Sequence, residues 1–132
     1  MERNHQLGEL QHAIMRVLWD QGEASVVEVH RALQGERERA LTTIATMLSK
    51  MERKGVVEHR VEGRVFVYRP TVSRQEVHRT MVGDLMDRLF EGDVTALVSH
   101  LLLEREVDPD ELAQLSRLIA EHKKVEARRR ER

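Results

Sequence analysis

One stretch of the chain carries the side chains best suited to contact a polyanion. Between Leu41 and Lys54, short hydroxyl and long cationic side chains recur at helical spacings of three and four: Thr42, Thr43, Thr46, Ser49, Lys50 and Arg53. Short hydroxyls can approach phosphates and base edges, a threonine methyl can touch the methyl group of thymine, and longer cations reach phosphate oxygens. Threonine is a poor helix former, so three threonines in five positions gain nothing on a face that meets only water. The pattern favours a helix presented to the major groove of a duplex.

The charge distribution agrees with one polyanion-facing surface. The chain of 132 residues has a net charge of −1, but the window from Arg39 to Arg69 holds seven basic residues against three acidic ones, a net of +4. From Ser73 to Arg132 there are eleven basic and thirteen acidic residues, a net of −2. Charge alone is equally compatible with a solvated face of scattered ions.

The elements that must position these side chains can be read from periodicity and capping signals. Helical apolar spacing starts at Leu7, and Ser25 followed by Glu28 forms a capping box. The predicted elements are helices over residues 7–22, 25–35 and 41–54, then β-branched strands over 56–61 and 64–69 that end at Pro70. Three helices followed by a hairpin predict a winged helix-turn-helix domain over residues 1–72.

The predicted hairpin has a basic tip. Glu62 and Gly63 form the tight turn, and Arg60 and Arg64 flank it. A wing tip of this kind can follow the phosphate backbone or enter the minor groove. As plain solvated charge it would be equally ordinary.

The region after residue 72 predicts three further helices with wide apolar faces. A second capping box begins at Ser73, and Asp108 followed by Pro109 marks the start of the last helix. About sixty residues make a marginal core alone. We therefore expect residues 73–132 to form a helical dimerisation domain, although these helices could instead fold back onto the N-terminal domain. The residues expected at the dimer contact are Val77, Met81, Leu85, Leu89, Phe90, Leu97, Leu101, Leu112, Leu115 and Ile119.

Several classes of function are disfavoured. The chain has no cysteine, which excludes disulfides, iron–sulfur clusters and a thiol nucleophile. Its seven histidines include no pair three or four apart, and no nucleophile elbow, phosphate loop or dinucleotide glycine pattern occurs. We expect no enzyme, no metal and no cofactor. No apolar run is long enough for a bilayer and no signal peptide is visible, so a cytoplasmic protein without a membrane partner is expected.

The sequence resembles the BlaI/MecI-type penicillinase repressor family along nearly its whole length. Leu10 to Asp20 is similar to the family's first helix, and the residues after Phe90 are similar to its dimerisation domain. The most distinctive matches are Thr42 to Leu48, Lys54-Gly55, Gly63-Arg64 and Tyr68-Arg69-Pro70.

The resemblance implies a homodimer that binds a palindromic operator in double-stranded DNA and represses transcription. It assigns readout to the third helix, on Thr42, Thr43, Thr46 and Lys50, and a contact to Arg64 in the wing. Antibiotic-responsive members are cleaved at an Asn-Phe bond after a signal from a membrane-sensor protease. The comparable stretch here is Ser99 to Leu101, so control by cleavage at that position is not expected. Copper-responsive relatives use a C-terminal cysteine motif, which this chain lacks.

Two other functions fit the same residues. One is a ligand-sensing winged-helix regulator, with an apolar pocket lined by Met81, Met86 and Phe90. The other is a winged-helix module whose basic surface binds an acidic protein.

Overall fold

The computed structural model describes residues 7–35 and 39–131, and this part of the chain is mostly helical with one small sheet. The elements follow the order α1 (Glu9–Gln21), β1 (Ala24–Ser25), α2 (Val26–Leu33), α3 (Leu41–Lys54), β2 (Val57–Glu62), β3 (Val65–Pro70), α4 (Arg74–Leu89), α5 (Val94–Glu104) and α6 (Pro109–Arg130). This order confirms the predicted fold class. The chain forms two compact units, one up to Leu85 and one from Met86 onward. The functional boundary after residue 72 stays a prediction.

The core of the first unit is built from the apolar stripes of α1, α2 and α3. Its largest fully buried side chains include Ile14, Leu18, Ile44, Leu48 and Met51. Burying a side chain of this size stabilises the fold by about 1.5–3 kcal/mol. This packing fixes which side of α3 faces inward, and therefore which side faces solvent.

Local signals start and stop the helices as the sequence predicts. The Ser25 hydroxyl accepts from the Glu28 amide at 3.2 Å, and the Glu28 carboxylate accepts from the Ser25 amide at 2.9 Å. At the end of α3, Gly55 adopts a left-handed conformation with φ of 90°. A residue with a Cβ is strained there, which explains a glycine at this helix end.

The hairpin is confirmed, but its turn is Gly63-Arg64 and not Glu62-Gly63 as predicted, and the sequence pattern missed one strand. β2 and β3 pair antiparallel around a turn at Gly63, and Glu62 lies opposite Val65. On the other edge of β3, the two-residue strand β1 places Ala24 opposite Tyr68. Two residues are too short to show an alternating pattern, but they tie the wing to the loop after α1.

The first turns of α4 belong to the first unit. Ser73 and Glu76 form the predicted capping box, and the Trp19 indole Nε1 donates to the Val72 carbonyl at 2.9 Å. Arg74 pairs with Asp20 at 2.9 Å. Val77 is fully buried in the core of its own chain, so a second chain is not needed to cover it.

The second unit covers little of its own apolar surface. Asp93 and Asp108 cap α5 and α6 by accepting from backbone amides at 3.0 and 2.8 Å. Yet no residue of α5 or α6, both described in full, is buried. Leu103 is 81% exposed, far above the value of any core leucine in the first unit. None of the described helices is long and apolar enough to cross a membrane.

Candidate nucleic-acid interface

The solvent side of α3 carries the six side chains of this helix that the sequence predicted for DNA contact. The buried residues of this helix, Ile44, Leu48 and Met51, lie on one stripe against the core. The remaining face exposes Thr42, Thr43, Thr46, Ser49, Lys50 and Arg53. We call these six residues the α3 ridge. They share one accessible face, as a groove-reading helix requires.

The α3 ridge is electropositive and keeps its charges available. Neither Lys50 nor Arg53 has an ion pair with any residue in the described ranges. The N-cap residue of α3 is Ala40, which has no side-chain acceptor, and no acidic residue lies in the first turn of the helix. The N-cap and the first turn therefore contribute no carboxylate that would offset the partial positive charge of the helix N-terminus.

The two arginines of the wing, Arg60 on β2 and Arg64 in the turn, differ in their partners. Arg64 is exposed and, among residues 7–35 and 39–131, has no carboxylate partner. Arg60 instead contacts Glu23, with Nη2 at 3.1 Å from Oε1, and it contacts Glu62 at 2.9 Å. The hydrogen bond from Arg60 lowers the pKa of the Glu23 carboxyl, against an opposing effect of desolvation. A phosphate would have to displace two carboxylates to reach Arg60, whereas Arg64 is open to it.

A groove joins the α3 ridge to the wing. It has a volume of about 460 Å³ and lies between the start of α2, the outer side of α3 and strand β3. Ser49 of α3 and Arg64 of the wing both line it, beside the apolar side chains of Val27, Val65 and Phe66. The fold thus brings together two predicted DNA contacts from separate elements, a hydroxyl and a guanidinium, around a single groove.

A polar contact that the sequence did not reveal links α3 to β2 below this groove. The His59 Nδ1 lies 2.7 and 2.8 Å from the two carboxylate oxygens of Glu52, and the His59 amide donates to Glu52 at 3.2 Å. The His59 ring stacks on Phe66 with centroids 4.1 Å apart. Tyr68 packs beside them, and burial, followed by the charge of Glu52, raises the pKa of its hydroxyl. In the sequence Glu52 counts only as one acid within a basic window.

The residues predicted for dimerisation fall into three groups by burial. Val77 is buried, and Met81, Phe90 and Leu97 are partly covered. The exposed ones are Leu85, Leu89, Leu101, Leu112, Leu115 and Ile119. Leu101 and Leu115 also line an apolar cleft of about 390 Å³ between α5 and α6. The dimer contact itself stays a prediction.

Other predicted features place no further chemistry in the described ranges. Met81, which the ligand-sensing alternative puts in a pocket, packs against the core of the first unit. The ring centroids of His12 and His78 are 6.2 Å apart. Burial lowers the pKa of His12, and the nearby charge of Arg16 is the next cause. In the described residues no three histidine or carboxylate side chains form a group that could hold a metal ion.

A three-helix core, a sheet-anchored hairpin and an exposed ridge of hydroxyls and cations define a winged-helix DNA-binding protein. The sequence profile of the family described as "Penicillinase repressor" matches residues 7–121. The chain belongs to this family, which confirms the resemblance seen in the sequence.

Individual relatives extend along the same length. Over 123 residues the chain is 27% identical to the penicillinase repressor of Bacillus licheniformis, an alignment that covers 93% of this chain and 96% of that protein. Over 123 residues it is 35% identical to the transcriptional regulator BlaI of Mycobacterium tuberculosis, covering 92% and 88% of the two chains. The solution structure of the DNA-binding domain of the repressor BlaI matches with a TM-score of 0.51 and 32% identity, covering 58% of this chain and 93% of that domain.

Proposed function

We propose that this protein is a homodimeric transcriptional repressor that binds a palindromic operator through α3 and the wing. One observation carries the proposal: every residue of the α3 ridge is exposed, while the opposite stripe of the same helix is buried in the core. The named relatives are repressors and a transcriptional regulator, and one solved relative is a DNA-binding domain.

The side chains of the α3 ridge divide by length. Thr42, Thr43 and Thr46 are short and lie in the first half of the helix, the half that reaches base edges in helix-turn-helix proteins. Lys50 and Arg53 are long and lie further along, where they reach phosphates. Ser49 and Arg64 contact one strand of the duplex from the two sides of the groove.

The dimer follows from the second unit. Its leucine-rich helices leave large side chains exposed that water does not favour, and a second copy of the same face covers them with two-fold symmetry. A two-fold protein matches a two-fold operator, with half-sites about 10 base pairs apart or at a multiple of that spacing.

The first test is the salt dependence of operator binding. Replacing Lys50 with alanine removes one phosphate contact, so the logarithm of the affinity should fall less steeply with the logarithm of salt concentration, by about one unit of slope per site. Fluorescence anisotropy with DNA fragments selected from the source genome measures this slope. Lys124 is an exposed lysine on α6. Its substitution Lys124→Ala is the matched control and should leave the slope unchanged. Equal slopes for Lys50→Ala and wild type would remove Lys50 from the interface.

A further inference from the structure

The contact between Glu52 and His59 places an acidic residue at the junction of the two elements proposed to hold DNA. Glu52 lies on the same side of α3 as Ala45 and Ser49, seven and three residues earlier, and both of these line the groove. A carboxylate on a DNA-facing helix repels phosphates, so its contacts within the protein bear directly on its role.

The structure shows what the carboxylate holds. Because a carboxylate has no proton to donate, the His59 Nδ1 must donate to Glu52, and the backbone amide of the same residue donates as well. The two donors of one residue fix the start of β2 to α3. This is a charge-assisted contact, which is roughly twice as strong as a neutral hydrogen bond.

The contact continues toward the tip of the wing. The His59 ring stacks on Phe66 at an interplanar angle of 15°, and Phe66 lies on β3 only two residues after Arg64. Tyr68, which lies opposite His59 in the hairpin register, completes the cluster from the core side. Movement of the wing away from α3 would break both the Glu52 contact and the ring stack.

We propose that Glu52 and His59 are positioning residues for DNA recognition. They hold the wing at the distance from α3 at which Arg64 and Ser49 contact the same DNA strand. This inference rests on the proposed function, since it concerns how the two DNA-binding elements are set relative to each other.

The direction in which Glu52→Ala changes the DNA affinity distinguishes a positioning role from simple charge repulsion. If Glu52 only repels phosphates, removing its charge strengthens DNA binding by up to about a few-fold. If it positions the wing, Glu52→Ala weakens binding by about tenfold, the loss expected when one charge-assisted contact to DNA is no longer made. Glu52→Gln keeps an acceptor for His59 and should lose less. His59→Phe keeps the stacked ring and the backbone donor but removes the Nδ1 donor, so it should also weaken binding, by less than Glu52→Ala.

A double-mutant cycle with Arg64→Ala tests whether Glu52 affects DNA binding through the wing. The assay uses the full chain and an operator fragment selected by the wild-type protein, with unfolding in urea measured for each variant. If Glu52 acts through the wing, Glu52→Ala causes no further loss in the Arg64→Ala background, and it reduces the salt slope as Arg64→Ala does. An equal loss in both backgrounds, or tighter binding by Glu52→Ala alone, would overturn the inference.

The same assay separates this inference from the proposed function. A wild-type protein that selects no DNA fragment at physiological salt contradicts the proposed function itself. A wild-type protein that binds its operator, with a Glu52→Ala variant of equal affinity, contradicts only the positioning role.

Discussion

The two compact units have similar apolar helical stripes, but the stripes are buried in the first unit and exposed in the second. Both contain leucine-rich stripes at helical spacing. In the described part of the first unit, ten large side chains between Ile14 and Val77 are almost completely buried. In the second unit, α5 and α6 bury none, and Leu118 is 62% exposed. An apolar stripe therefore indicates that a helix has a face to cover, but it does not indicate whether the cover comes from the same chain.

This difference also bears on the functions proposed for the two units. A closed core gives the α3 ridge a rigid support, and rigid support is what a reading surface needs. In the proposed dimer, the open apolar surface is the contact with a second copy, which supplies the symmetry of the proposed palindromic site.

The largest effect should come from the core of the first unit. Leu48→Ala leaves a cavity beneath the α3 ridge, and we expect a loss of about 2–5 kcal/mol in the free energy of unfolding of that unit. Leu103→Ala, the same substitution at a side chain that is 81% exposed, should change it by no more than about 0.5 kcal/mol. Urea unfolding followed by Trp19 fluorescence measures both. Equal losses would erase the distinction between a closed and an open unit.

The next effect concerns association of the second unit. Ile119→Asp places a charge in the proposed dimer contact and should raise the dimer dissociation constant by at least about a hundredfold. Arg117→Asp, which lies on the other side of α6, serves as the control and should leave the dimer largely intact. Sedimentation velocity over a range of concentrations gives both constants. If Ile119→Asp remains dimeric at low concentration, the exposed apolar face is not the dimer contact.

The smallest effect sharpens the contrast between the two wing arginines. Glu23→Gln removes the charge of one of the two carboxylates that pair with Arg60 and leaves only Glu62, so a phosphate competes for Arg60 more easily; DNA affinity should rise by about two- to fivefold with a steeper salt slope. Glu121→Gln makes the same charge change on α6 and should have a smaller effect. An unchanged slope in Glu23→Gln would show that Arg60 does not reach a phosphate even when the charge of Glu23 is removed.

This ion pair also has a defined pH dependence. Arg60 lowers the pKa of Glu23, so the pair stabilises the fold above the ordinary pKa of a glutamate and is lost as the pH falls through the lowered value. The difference in stability between wild type and Glu23→Gln should therefore be present at neutral pH and disappear in acid. Thermal unfolding at a series of pH values measures it.

The sequence predicted those parts of the fold that local chemistry decides. Both serine capping boxes, the proline start of α6 and the glycine end of α3 depend on neighbours within four residues, so the pattern alone identifies them. The exposed side of α3 was also predictable, because its buried positions recur at helical spacing.

What the sequence did not reveal depends on residues distant in the chain. The Arg60–Glu23 pair spans 37 positions, and no local pattern shows that one wing arginine is occupied while Arg64 is open. The Glu52–His59 contact joins α3 to β2, and the apolar spacing changes between them from that of a helix to that of a strand. Neither pattern alone therefore shows this contact. Val77 continues the same spacing as Leu85 and Leu89, so periodicity could not show that it belongs to the first core.

The most direct test of the central claim is to compare the DNA fragments that two forms of the protein select from the source genome at physiological salt. The wild type should enrich a two-fold symmetric sequence. A variant with alanine at Thr42, Thr46 and Lys50 should fold normally and lose that enrichment, because these side chains leave the core untouched. If the variant selects the same sequences with the same affinity, the outer face of α3 does not read DNA and the account is wrong.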